Sequence, residues 1–122
     1  ASTAAFQPGP LMAVYYASKA YVLSFSQAVA EEVAGSGVRV SCLCPGATRT
    51  EFQKVSDMEN SRLFNAPHVM DASDVARIGY RGMLAGKRVV IPGIANKVMA
   101  QGTRITPRRL ATWIAKKGQE RV

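Results

Sequence analysis

The chain has 122 residues, 48% of them hydrophobic and 20% charged, the balance of a soluble globular domain with a modest core. No apolar run approaches the ~20 residues that span a bilayer, and no repeat or low-complexity segment is present. The net charge of +8 is uneven: residues 1–76 hold five basic and seven acidic side chains, residues 77–122 eleven and one. Such a basic tail is a solvated helix face or a surface for an anionic partner. Cys42 and Cys44 lie two apart on an expected strand, and His68 is the only histidine, so zinc would lack ligands. Two cysteines without a signal-peptide pattern suit a reducing, cytoplasmic compartment.

Residues 1–10 read as a strand end and a loop, because Pro8, Gly9 and Pro10 exclude regular structure. A helix is expected from Leu11 to Ala34, closed by Gly35-Ser36-Gly37. Met12, Tyr15, Tyr16, Lys19, Leu23, Ser26, Ala30 and Val33 fall on one stripe, and the mixed pattern suggests burial on two sides. Tyr15 and Lys19 are one turn apart and share a face. An ammonium beside a phenol favours the phenolate, which suits the tyrosine to general acid/base work. An amphipathic surface contact would use the same spacing. Tyr16 has Ala20 where its lysine would stand, so it is expected to pack or to border the pocket.

Val38 to Leu43 is an apolar run of the kind found in parallel strands covered on both faces, ended by Pro45-Gly46. Residues 51–70 are weakly periodic; Phe52, Leu63 and Phe64 either line a pocket or pack ordinarily, and His68 reads as a loop residue. Asp71 is placed as the N-cap of a helix that reaches Gly86. Lys87 to Ile91 is a second short strand, ended by Pro92-Gly93, and 94–101 a short helix. Thr106-Pro107 reads as N-cap and first residue of a last helix to Lys117. Its stripe of Leu110, Trp113, Ile114 and Lys117 is expected to dock on the domain, with a membrane-surface role as competitor.

Ser2, Tyr15-Tyr16-Ala17-Ser18-Lys19, Gly37-Val38-Arg39-Val40 and Pro45-Gly46-Ala47-Thr48-Arg49-Thr50 occur in this order. The set resembles the catalytic part of the short-chain dehydrogenase/reductase family. The resemblance implies an α/β fold: the C-terminal part of a Rossmann-like doubly wound parallel sheet, with the cofactor-binding N-terminal half absent. It implies residues 1–50 as catalytic helix, strand and turn, 51–70 as a substrate-loop region, 71–93 as helix and last strand, and 94–122 as a basic helical tail. It further implies Ser2, Tyr15 and Lys19 as catalytic residues. Tyr15, Lys19, Pro45, Gly46 and Thr50 would contact NAD or NADP, with Thr48 a second candidate beside Thr50. No metal is expected.

The expected reaction interconverts a carbonyl and an alcohol. No Gly-rich turn follows a strand in this sequence, and neither the residue that selects the ribose form nor the family's relay asparagine is found. The chain is therefore expected to be a fragment with little turnover alone. The resemblance also implies a homo-oligomer of the complete protein, with the first helix at the subunit interface. The alternative is a non-enzymatic remnant or interaction module that uses the basic tail, through which a peripheral membrane contact is also open. A nucleic-acid role is not expected, because no recognised module is present and Trp113 is the only aromatic residue in 94–122.

Overall fold

In the computed structural model, residues 1–49 and 69–119 are described, without the side chains of residues 118 and 119. The expectations for Thr50, Phe52, Leu63, Phe64 and His68 lie outside the described residues. The chain starts extended, with Ser2 at φ −167° and ψ 163°, and turns into a short 3-10 segment, Thr3–Phe6. The first helix, α1, is Ala13–Glu32. It is shorter at both ends than the apolar pattern suggests; at the N-terminal end Leu11 sits at φ 72° and cannot continue a right-handed helix. All eight residues of the expected stripe are buried or half-buried, with Tyr16, Leu23 and Ala30 at its centre. Burial on a second side is not observed: Val14, Tyr21 and Phe25 are exposed, and the last two rings stack with centroids 6.0 Å apart.

The sheet is built around β1, Cys42–Leu43, which pairs in parallel with β4, Val89–Val90. Cys42 and Cys44 donate their backbone N–H groups to the carbonyls of Arg88 and Val90, both at 2.8 Å. On the opposite edge, Ala1 N donates to the Leu43 carbonyl at 2.9 Å and Thr3 N to the Pro45 carbonyl at 3.0 Å. Donors two residues apart that meet acceptors two residues apart form a parallel ladder. Residues 1–3 thus run beside β1 as the end of a strand, and β1 is bonded on both edges. The paired part is shorter than the expected 38–43: Val38 is 60% exposed and precedes the ladder. A further parallel pair joins β2, Thr48–Arg49, to β3, Met70–Asp71, so Met70 belongs to a strand and not to the loop region.

Alternation along β1 assigns its two faces. Cys42 and Cys44 cluster with Leu23 of α1, and Val89, Ile91, Ala1, Ala5 and Phe6 complete that layer. Leu43 and Val90 point the other way, toward α2, Ala72–Leu84. That helix approaches closely through Gly79 and Gly82: a Cβ on Gly82 would stand 2.5 Å from Val90 Cγ2. One helix on each face of a parallel sheet is the layering of doubly wound α/β folds.

Asp71 precedes α2 as its N-cap, but its side chain makes no capping bond. Its carboxylate is held instead by Arg49, at 3.1 Å, so a cross-strand cation takes the oxygen that the helix would have used. The last two helices are α3, Ile94–Ile105, and α4, Arg108–Gln119. Thr106 does not cap α4 with its side chain; its hydroxyl donates back to the Gly102 carbonyl at 2.7 Å and closes α3. The expected docking face of α4 is also corrected. Ala111 and Ala115 are buried, while Leu110, Trp113 and Ile114 are exposed. Alanines permit close approach of the helix axis, which leaves the bulkier residues outside. Ion pairs at the periphery, such as Arg88 with Glu31, join exposed side chains.

Candidate active site

Ser2 is positioned by the first backbone turn. Its Oγ accepts a hydrogen bond from Ala4 N at 3.1 Å. A hydroxyl that accepts through a lone pair still carries its own proton to donate. The adjacent Thr3 N bond to Pro45 O places Ser2 beside the turn that ends β1. Two site candidates far apart in sequence, Ser2 and Pro45-Gly46, are thereby brought together.

Tyr15 and Lys19 lie on the first turns of α1, both half-buried. Lys19 Nζ stands over the Tyr15 ring, 5.2 Å from its centroid, within the range of a cation–π contact. The helical spacing has thus produced the expected pair, with the ammonium above the ring face. The Tyr15 ring also meets that of Tyr16 edge-on, with centroids 5.9 Å apart. The 3-10 segment packs against α1, so the Ser2 turn and the Tyr15–Lys19 pair belong to one packed unit.

Tyr16 turns inward, as expected. Its ring lies on the backbone of Gly9, where a Cβ would come within 2.2 Å of it. Tyr16 also lines a groove of about 560 Å³ with Phe6, Pro8, Pro10, Thr103 and Arg108. Ser2, Tyr15 and Lys19 do not line this groove.

The Pro45-Gly46 turn is held by Thr3 N, which donates to the Pro45 carbonyl, and by Thr48, whose hydroxyl donates to the Gly46 carbonyl at 3.0 Å; Asn96 lies against Gly46, where a Cβ would stand 2.3 Å from its Oδ1. Asn96, which the sequence pattern did not single out, is the buried polar side chain beside this turn. Its Nδ2 donates to the Pro92 carbonyl at 2.8 Å, and its Oδ1 is buried without a hydrogen-bond partner among the described residues. A buried acceptor left unpaired costs about 1–3 kcal/mol. The available signal was the second Pro-Gly pair at the end of a strand, with a polar residue one helical turn after it.

Beneath the turn, Cys42 and Cys44 place their sulfurs 3.8 Å apart. Burial, followed by the neighbouring Cys42, pushes the Cys44 thiol up to about 12. Cys44 is therefore a neutral core residue at neutral pH.

A parallel sheet with a helix on each face, with a Tyr-x-x-x-Lys helix packed against a serine turn beside a Pro-Gly strand end, places the chain in the class of doubly wound α/β folds. The short chain dehydrogenase family model matches residues 1–61, and the chain belongs to that family. Over 54 residues it is 44% identical to dehydrogenase/reductase SDR family member 4 of Bos taurus, covering 44% of this chain and 19% of that protein. The human protein of the same name is 36% identical over 61 residues, covering 50% of this chain and 22% of that one. A solved short-chain dehydrogenase from Sphingobium yanoikuyae in complex with NADPH superposes with a TM-score of 0.68 at 30% identity, over 84% of this chain and 40% of that one. The chain thus spans well under half the length of the relatives it matches.

Proposed function

We propose that this chain carries the proton-transfer and ring-binding part of an NAD(P)-dependent oxidoreductase that interconverts a carbonyl and an alcohol. The observation that carries the reading is the Tyr15–Lys19 pair on a helix packed against the Ser2 turn, in a chain of this family. In this reading Ser2 donates its free hydroxyl proton to the carbonyl oxygen, while its acceptor site stays occupied by Ala4 N. Tyr15 gives its phenolic proton to the same oxygen, or takes it back in the oxidative direction. Lys19 supplies the positive charge beside the phenol.

Pro45, Gly46 and Thr48 would hold the nicotinamide end of NAD or NADP, which supplies the hydride when bound. The turn suits such a ligand: the Thr48 proton is committed to Gly46 O, so its lone pairs stay free to accept from an amide. Thr50, Tyr15 and Lys19 complete the proposed contact set. The phosphate-cradling turn that such a nucleotide needs is not contained in residues 1–122, so this stretch alone is expected to show little turnover. The exposed Val14, Tyr21 and Phe25 face of α1 supports association with a second copy. The test is carbonyl reduction by the full-length natural protein with NADH or NADPH, with Tyr15→Phe beside it. Undiminished turnover in that variant removes Tyr15 from the chemistry and sinks the reading.

A second reading, an interaction module, rests on α3 and α4. Both bury small residues and expose Ile94, Val98, Ile105, Leu110, Trp113 and Ile114, interleaved with Lys97, Arg104, Arg108, Arg109, Lys116 and Lys117. Apolar side chains among cations, with no carboxylate between Asp74 and Glu120, match an anionic bilayer surface. Cosedimentation with phosphatidylserine vesicles that falls with salt supports it; equal binding to neutral phosphatidylcholine vesicles, or none to either, overturns it.

A further inference from the structure

Asn96 is 2% exposed and stands in the first turn of α3, behind both Pro-Gly turns. The Pro92 carbonyl can only accept, so the amide must turn its NH2 toward it, and the 2.8 Å bond fixes that orientation. The oxygen is thereby aimed at Gly46. A Cβ on Gly46 would stand 2.3 Å from Asn96 Oδ1, and one on Gly93 would stand 3.4 Å from Nδ2. One side chain therefore touches the ends of two neighbouring parallel strands, where ligands of such sheets are bound. It does so while burying an unpartnered acceptor, which stability alone would select against.

We propose that Asn96 is a positioning residue: it acts through Gly46 and sets the height and tilt of the Pro45-Gly46 turn on which the nicotinamide would rest. The inference rests on the oxidoreductase reading and deepens it. The amide is anchored at Pro92, so it couples the turn after β1 to the turn after β4, and Gly46 is the one residue small enough to lie on it. A ring seated on a misplaced turn loses hydride geometry, while the adenine end of the nucleotide, bound elsewhere, is indifferent.

The experiment uses the full-length natural protein with Asn96→Leu, Asn96→Ser and, as the converse, Gly46→Ala. Each is titrated with NADPH and separately with ADP-ribose 2′-phosphate, which lacks the nicotinamide ring. Expected is a fall of about tenfold in NADPH affinity, the loss of one well-made hydrogen bond's worth of placement. Affinity for the ring-less fragment should change by less than about twofold. The melting temperature of Asn96→Leu should stay near wild type, because removal of the orphaned Oδ1 offsets the Pro92 carbonyl that loses its donor. The kcat for carbonyl reduction should fall with little change in carbonyl KM. Equal weakening of both ligands, or losses that track the melting temperature, would show a merely structural asparagine and overturn the proposal. If Asn96→Leu does not fold, Asn96→Ser carries the same comparison. Wild-type affinities retained in every variant also overturn it, while leaving the Tyr15 chemistry intact. A wild-type protein that binds neither NADPH nor NADH sinks the oxidoreductase reading itself.

Discussion

Residues 1–49 and the helix pair α3–α4 bury different kinds of side chain. In the first region the buried set includes large side chains: Tyr16 and Leu23 are inside with Cys42 and Cys44 beside them, although Val14, Tyr21 and Phe25 on the far face of α1 stay exposed. In the second the small ones go inside: Ala100, Ala111 and Ala115 are buried, while Ile105 is 89% exposed and Trp113 56%. The first arrangement builds a core that can hold a site. The second presents apolar surface outward. The difference teaches that burial of a helix and burial of its apolar stripe are separate facts.

The largest effect expected is on turnover in the first region. Tyr15→Phe in the full-length protein should lower kcat/KM by ~10²–10⁴-fold, the span general acid/base groups contribute. Steady-state kinetics beside an unchanged melting temperature checks it. In the second region the sensitive positions should be the alanines: Ala115→Leu should overpack the docked face and cost about 1–3 kcal/mol, read by denaturant unfolding. A neutral Ala115→Leu would mean that α4 is not docked as described.

The Cys44 thiol gives a pH-dependent contrast. Its folded value is raised from 9.0 to about 12, so above 9 the unfolded chain releases a proton that the folded chain keeps. Its contribution to stability is whole below pH 9 and declines as pH rises toward 12. Cys44→Ala should flatten that alkaline decline, measured by urea midpoints against pH. The smallest effect belongs to the outer face of α4: Trp113→Gln should change stability by no more than about 0.5 kcal/mol. A larger loss would bring the two regions under one rule.

Much of the first region could be read from residue order. The eight-residue stripe of α1, the Tyr15–Lys19 spacing and the strand that ends at Pro45 each follow from a local period or a local turn. Strand length was less accessible, because Val38 to Val40 satisfy the apolar pattern but not the ladder. Two-residue strands such as β2 and β3 are too short to show any period. The face of α4 misled for a physical reason: hydrophobicity marks what prefers to leave water, whereas close packing was achieved with alanine. Asn96 was hidden because its role comes from two turns meeting in space, and no spacing in the chain encodes that meeting.

The double bonding of β1 has a kinetic consequence. Its partners on the two edges come from residues 1–3 and 88–90, so the strand lies more than forty positions from each. Every ladder bond closes a long loop, whereas α1 and α2 need only their neighbours. Helices should thus form early and the sheet late, the pattern of slow folding at high contact order. During synthesis, the middle strand waits with one edge open until Val90 has left the ribosome.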